Sequence, residues 1–229
     1  MKGSGEGTLT EIDRFEHGVG WMAYPEEGMK RASHALAVPS EEGEADVWVV
    51  DPVDAPGLDD LLGSLGTVAG VVVGADRHKR DADVIARRHS VPIFVPEWMT
   101  GVASEFTATT ARFSGELADT GFRALDIRNS TIPPWQEVAL YDGETLVVPE
   151  AVGTAEFFRA GEERLGVHPL LRLVPPRDVL GDIDPDRILV GHGSGIHENA
   201  SEALANALRG SRRRAPAAFT KALKSFVGQ

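Results

Sequence analysis

The stretch from Val68 to Val95 constrains the fold more than any other part of the chain. It reads as a continuous apolar run (68–74), a short amphipathic segment (81–89, with Ala82, Ile85 and Ala86 on one face) and a second apolar run (91–95). A strand that is apolar along its whole length is buried on both faces, and strand–helix–strand units built from such runs belong to sheets covered on both sides. Upstream, residues 20–24, 34–38 and 46–50 are short runs separated by turn residues at 25–28 and 41–43, as hairpin-linked antiparallel strands require. Residues 58–65 read as a short helix. Between Trp98 and Asp119 the pattern weakens to loop and a strand. Residues 137–141 and 144–148 flank Asp142-Gly143, a turn pair that accepts positive φ. Residues 155–165 read as a helix, 187–190 as a strand, 198–208 as a helix ended by Gly210, and 216–227 as a last helix. No internal repeat or linker stands out. A single α/β domain over 1–229 is expected, with 1–7 flexible.

Composition narrows the function. The 229 residues include 23 Lys+Arg against 35 Asp+Glu, a formal net charge of −12. That balance argues against general nucleic-acid binding, which needs cations to displace counterions from phosphates. With 42% hydrophobic and 25% charged residues the chain can bury a real core. There is no cysteine. A disulfide framework, a thiolate metal site and a cysteine nucleophile are all excluded. No apolar stretch approaches the roughly 18 residues of a membrane span, and residues 1–7 lack the apolar core of a signal peptide. The expectation is a cytoplasmic protein without membrane or nucleic-acid partners. Its ligand or substrate is a small molecule.

The polar residues fall in a regular place. Four short apolar strands each run into a carboxylate or an imidazole: Val50 into Asp51, Val73 into Asp76 and His78, Val148 into Glu150, and Val190 into His192. Ligand sites of α/β folds lie at strand ends, where side chains from separate loops converge. Two imidazoles and several acids gathered there have the chemistry of a divalent-cation site.

The order of elements, Asp51 after Val50, the 69–95 unit, the 139–153 segment and above all Pro185-Asp186-Arg187-Ile188-Leu189-Val190-Gly191-His192-Gly193 followed by a helix resemble the metallo-β-lactamase fold superfamily. The resemblance covers nearly the whole chain. It implies a four-layer αββα sandwich with its site at one rim. Two-metal members carry a His-x-His-x-Asp-His loop after the second buried strand; here it reads Asp76-Arg77-His78-Lys79-Arg80-Asp81. His78 is kept. Asp76, Arg80 and Asp81 stand where His, Asp and His are expected. The next family imidazole falls near 132–135, which has none. Glu150 matches the bridging acid, His192 the last ligand, and Asp51 a supporting residue.

Two readings stay open. Arg80 offers only donors and repels a cation, so the loop can be a former metal site in which Arg80 pairs with Glu150 or Asp81. Alternatively one ion is held by Asp76, His78, Asp81, Glu150 and His192, a carboxylate-rich set suiting Mn, Fe or Mg better than Zn; a two-metal centre is not expected. The first function hypothesis is a hydrolase of ester, thioester or phosphoester bonds with an impaired or mononuclear site, Asp81 acting as ligand or base. The second is a non-catalytic module that recognises an anionic group through Arg77 and Arg80. Nucleotide binding lacks both Gly-x-Gly-x-x-Gly and a P-loop lysine. Asp81 also reads as the N-cap of the 82–89 helix. No role is expected for His17, His34, His89 or His168, and His197 is read as the start of the 198–208 helix. The basic terminal helix is expected to pack Phe219, Leu223 and Phe226 on the domain.

Overall fold

The apolar runs of the first half pair side by side in chain order. The computed structural model describes residues 7–40 and 43–227, with side chains up to Thr220; residues 1–6, expected to be flexible, and 41–42 of an expected turn fall outside these. Strands β1 (Thr10–Phe15), β2 (Gly18–Met22), β3 (Ser33–Val38), β4 (Asp46–Val50), β5 (Thr67–Val72), β6 (Ile93–Pro96) and β7 (Thr110–Phe113) form one sheet in that order. The β1–β4 pairs are antiparallel, and β4 through β7 run parallel. The parallel half requires crossovers, and helices α1 (Leu58–Gly63) and α2 (Ala82–His89) supply two of them. A second sheet takes β8 (Arg123–Thr131), β9 (Pro134–Tyr141) and β10 (Thr145–Val148), and strand Arg187–Val190 joins β10 in parallel.

Three apolar clusters define four layers. Leu58, Leu62, Ile85 and Ala86 pack on Val19, Val49, Val71 and Ile93 at the outer face of the first sheet. Leu36, Trp48, Val50 and Val72 meet Val138, Leu140, Val147 and Leu189 between the sheets. Leu146, Val148, Ile188 and Val190 meet Leu204, Ala207 and Leu208 of the last helix, α5 (Ala200–Val227), outside the second sheet; the short helices α3 (Thr100–Ala103) and α4 (Arg177–Leu180) precede it. This is the expected αββα sandwich. Each fully buried aliphatic side chain contributes roughly 1.5–3 kcal/mol, and the inner parts of β5 and β10, Val71–Val72 and Leu146–Val148, are wholly apolar and buried.

The structure adds strands β1 and β8, which were not expected, and departs from expectation at 155–165 and in the terminal helices. Residues 155–165 form turns rather than a helix. Phe158 is drawn fully into the core, Gly161 adopts φ +64°, and Glu163 is held by Arg172 at 2.6 Å; those tertiary contacts outcompete a helix with weak local preference. The two expected terminal helices are one, α5 (Ala200–Val227), which runs through Gly210 and Pro216. Its carbonyls around the expected break are taken up from outside, with Arg177 donating to Leu208 O at 2.8 Å and to Arg209 O at 3.3 Å. Phe219 is exposed rather than packed, and the side chains of Leu223 and Phe226 lie outside the described residues. No helix among the described residues is long and apolar enough to cross a membrane.

Candidate metal centre

β10 and the Arg187–Val190 strand are parallel neighbours, with Val148 opposite Val190, so Glu150 and His192 emerge at the same rim. The β5–α2 loop brings His78 to that rim from the facing sheet. Asp51 makes the join. It sits at φ +47°, and its Oδ1 accepts from Gly74 N at 2.9 Å while Oδ2 accepts from His78 Nδ1 at 2.8 Å. A carboxylate behind an imidazole fixes both tautomer and ring orientation.

His192 is clamped by the β2–β3 connection. Ala32 N donates to Gly191 O at 3.0 Å and Gly193 N to Lys30 O at 2.8 Å, and His192 Nδ1 donates to Met29 O at 2.9 Å. The flanking glycines are required. A Cβ on Gly191 would lie 2.2 Å from Pro149 O, and Gly193 combines φ +99° with a Thr154 Oγ1 that would stand 2.2 Å from its Cβ. Phe158 stacks on the His192 ring at 5.3 Å.

Three donor atoms from these segments converge. His78 Nε2 lies 2.7 Å from Glu150 Oε2, and His192 Nε2 lies 3.1 Å from the same oxygen and 3.2 Å from His78 Nε2. All three residues are buried, and among the described residues they alone form a compact His/Asp/Glu cluster of metal-ligating spacing. The hydrogen on His192 is committed, because Met29 O can only accept. A neutral His192 therefore turns a lone pair toward a carboxylate oxygen. Burial lowers the His192 imidazole despite Glu150 beside it, which keeps it neutral. Burial and Arg80 act downward on His78, but Asp51 and Glu150 outweigh them and raise it. Burial acts upward on the Glu150 carboxyl, yet the His192 and His78 imidazoles beside it hold it well below the usual carboxylate range.

The remaining site residues from the sequence are placed differently. Asp76 pairs with Arg77 at 3.3 Å and stays outside the cluster. Asp81 stands at the α2 N-terminus but makes no side-chain cap; its Oδ2 accepts from Asp54 N at 2.9 Å, so it neither joins the cluster nor reaches it as a base. Arg80 pairs with neither Glu150 nor Asp81. Its guanidinium is buried and donates to Ala32 O, to Asp51 O at 2.8 Å and to Gly191 O at 3.0 Å, cross-linking the three backbone segments that hold the cluster. The carbonyls of Ala32, Asp51 and Gly191 surround the guanidinium, so they and not the acids take its hydrogens. Arg77 lies over the Trp135 ring at 4.2 Å and donates to Pro134 O at 3.1 Å. Both arginines are thus anchored by backbone carbonyls, Arg77 also by Asp76 and the Trp135 face.

Two site residues were not expected from the sequence. Glu137 is fully buried in β9; its Oε1 accepts from Glu150 N and Ala151 N, both at 2.7 Å, and its Oε2 from Trp135 Nε1 at 2.8 Å. Burial pushes it up to about 7. His168 accepts from Leu170 N on Nδ1 at 3.2 Å, so Nε2 bears the hydrogen and points at Glu150 Oε1, 3.5 Å away; burial lowers it to about 4. A charged residue at an apolar strand position was the available hint for Glu137. His168 had none.

No protein-family model matches the chain, and no curated protein matches its sequence. Solved structures do. The DIM-1 metallo-β-lactamase superposes with TM-score 0.57 at 13% identity, covering 93% of this chain and 99% of that one. A metallo-β-lactamase from Pontibacter korlensis gives 0.55 at 15%, with 88% and 99% covered. A flavo di-iron protein from Thermotoga maritima gives 0.60 at 11%, with 90% and 62% covered. The chain has the metallo-β-lactamase fold, an αββα sandwich.

Proposed function

We propose that this protein holds one divalent ion at His78, Glu150 and His192, and that it is a mononuclear metal-dependent hydrolase of ester, thioester or phosphoester bonds. The observation that carries this is the meeting of three acceptor atoms, His78 Nε2, Glu150 Oε2 and His192 Nε2, at mutual distances of 2.7, 3.1 and 3.2 Å. Buried acceptors facing one another are costly unless a proton or a cation stands between them. Nδ1 hydrogens committed to Asp51 and Met29 O leave both Nε2 atoms as ligands, which is the outer-shell arrangement of metal-bound histidines. Two imidazoles and one carboxylate suit zinc or iron, and Mg, favoured by the larger acidic set, loses its oxygen ligands once Asp76 and Asp81 stand apart.

A second ion does not fit this site. The positions that would complete it are occupied by a guanidinium and by two aspartates bonded elsewhere. When bound, a single ion supplies Lewis-acid polarisation and lowers the pKa of water. The chain's own residues do the rest. Asp51 and Met29 O orient the imidazoles, Glu137 fixes the backbone that presents Glu150, and the His168 N–H steadies the second Glu150 oxygen. Phe158 shields the His192 ring from bulk water.

Metal analysis of protein purified without chelator tests the proposal. About one equivalent of zinc or iron is expected, lost in Glu150→Gln and His192→Ala. Absence of metal, together with no thermal shift on adding zinc or iron, overturns it.

A further inference from the structure

The loop that carries His192 borders a groove whose charge is opposite to that of the molecule. The groove encloses about 480 Å³ and is lined by Lys30, Arg159 and Arg164 with Thr154, Gly193 and Ser194, and among the described residues no carboxylate lines it. Two other grooves are acidic or mixed: one is lined by Asp54, Asp59 and Asp60 around Arg88, another by Glu162, Glu163 and Glu202 with Arg164 and Arg214. An all-cationic concavity on a chain of net charge −12 focuses field toward an anion.

Its cations sit on the segments that grip His192. Lys30 follows Met29, whose carbonyl holds His192 Nδ1, and the Lys30 carbonyl itself accepts from Gly193 N at 2.8 Å. Arg159 follows Phe158, which stacks on the His192 ring. The nearby acid, Asp13, turns Oδ1 to Gly195 N at 2.7 Å and to His197 at 3.3 Å rather than toward the lysine. Lys30 Nζ donates to Pro25 O at 2.9 Å and Arg164 Nη2 to Glu198 O at 2.9 Å; an ammonium has three donors and a guanidinium five, so each has donors left for a ligand.

We propose that this groove binds a phosphate-type oxyanion borne by the substrate, so that the molecule acted on is a phosphorylated, anionic compound anchored beside His192. The proposal rests on the hydrolase reading above for the word substrate, but not for the anion site. A tetrahedral, multiply charged oxyanion suits a point-charge lysine with guanidinium groups approaching from a different segment, whereas a planar carboxylate needs a single fork.

The test is titration of inorganic phosphate into the full chain, stripped of metal by chelator, at low ionic strength, followed by calorimetry. Wild type is expected to bind saturably, and more weakly as salt is raised. The exposed double variant Lys30→Ala/Arg164→Ala should bind at least about tenfold more weakly, the loss of one to two charged hydrogen bonds, with unchanged metal content when loaded. Each single variant should fall in between. Phosphate binding by the double variant equal to wild type overturns the proposal. So does binding by wild type only when metal is present, which places the anion on the ion. A protein that binds phosphate yet never takes up metal would instead overturn the hydrolase reading and leave the anion site standing.

Discussion

Gly191 shows how little freedom the site has at the scale of one residue. A Cβ there would stand 2.2 Å from Pro149 O and 2.9 Å from His78 Cε1, both backbone or held by hydrogen bonds. Gly191→Ala is therefore expected to express with impaired stability and to lose metal, read by metal content against wild type. Glu137 gives a subtler test. Glutamine can still accept from the two amides, but its NH₂ faces the Trp135 N–H, a donor against a donor. Glu137→Gln should cost about 1–3 kcal/mol in denaturant melts and weaken metal binding, and Glu137→Ala should do worse on both. His168 sets a pH dependence. Its folded value of about 4 lies below its ordinary 6.5, so between those values the unfolded chain takes up a proton that the folded chain refuses. The stability it contributes is fully present above about pH 6.5 and is lost as pH falls toward 4, up to about 3 kcal/mol. His168→Phe, which keeps the ring packing on Trp135 and Phe158, should flatten that part of the stability profile.

Among elements, the 154–165 segment decides whether the centre is shielded. Phe158 is fully buried, stacks on His192 and fills the space over Gly153, where a Cβ would come within 2.7 Å of its ring. Phe158→Ala should destabilise by about 3–5 kcal/mol through the cavity it leaves and open the His192 ring to solvent; chemical unfolding reads the first and reaction of His192 with a histidine reagent the second. The local pattern of residues 155–165 reads as a helix, and it could not register the pull of Arg172 on Glu163. In α5 the same blindness ran the other way. Gly210 and Pro216 read as punctuation, but the helix continues because Arg177 and the packing of Leu204, Ala207, Leu208 and Ala218 hold it. Pro216 is exposed in that helix, so Pro216→Ala should raise the melting temperature, by an amount corresponding to no more than about 3 kcal/mol.

For the whole molecule, 35 acids against 23 bases make self-repulsion a general term, and raising salt toward 1 M should raise the melting temperature by screening it; an unchanged midpoint would show that the ion pairs dominate instead. The layered fold was legible along the chain because it follows from local rules. Fully apolar runs must be buried on both faces, Asp142-Gly143 turns a hairpin, and glycines around His192 mark a crowded backbone. Those rules also located His78, Glu150 and His192, each at the end of such a run. What the order of residues left undecided is which polar groups meet. Asp76 and Asp81 carry the same chemistry as Glu150 yet turn away, Arg80 chose carbonyls over carboxylates, and Glu137 and His168 arrived from positions with no pattern. Burial and hydrogen-bond partners are properties of segments more than a hundred residues apart in the case of His78 and His192, and only their packing against one another fixes them.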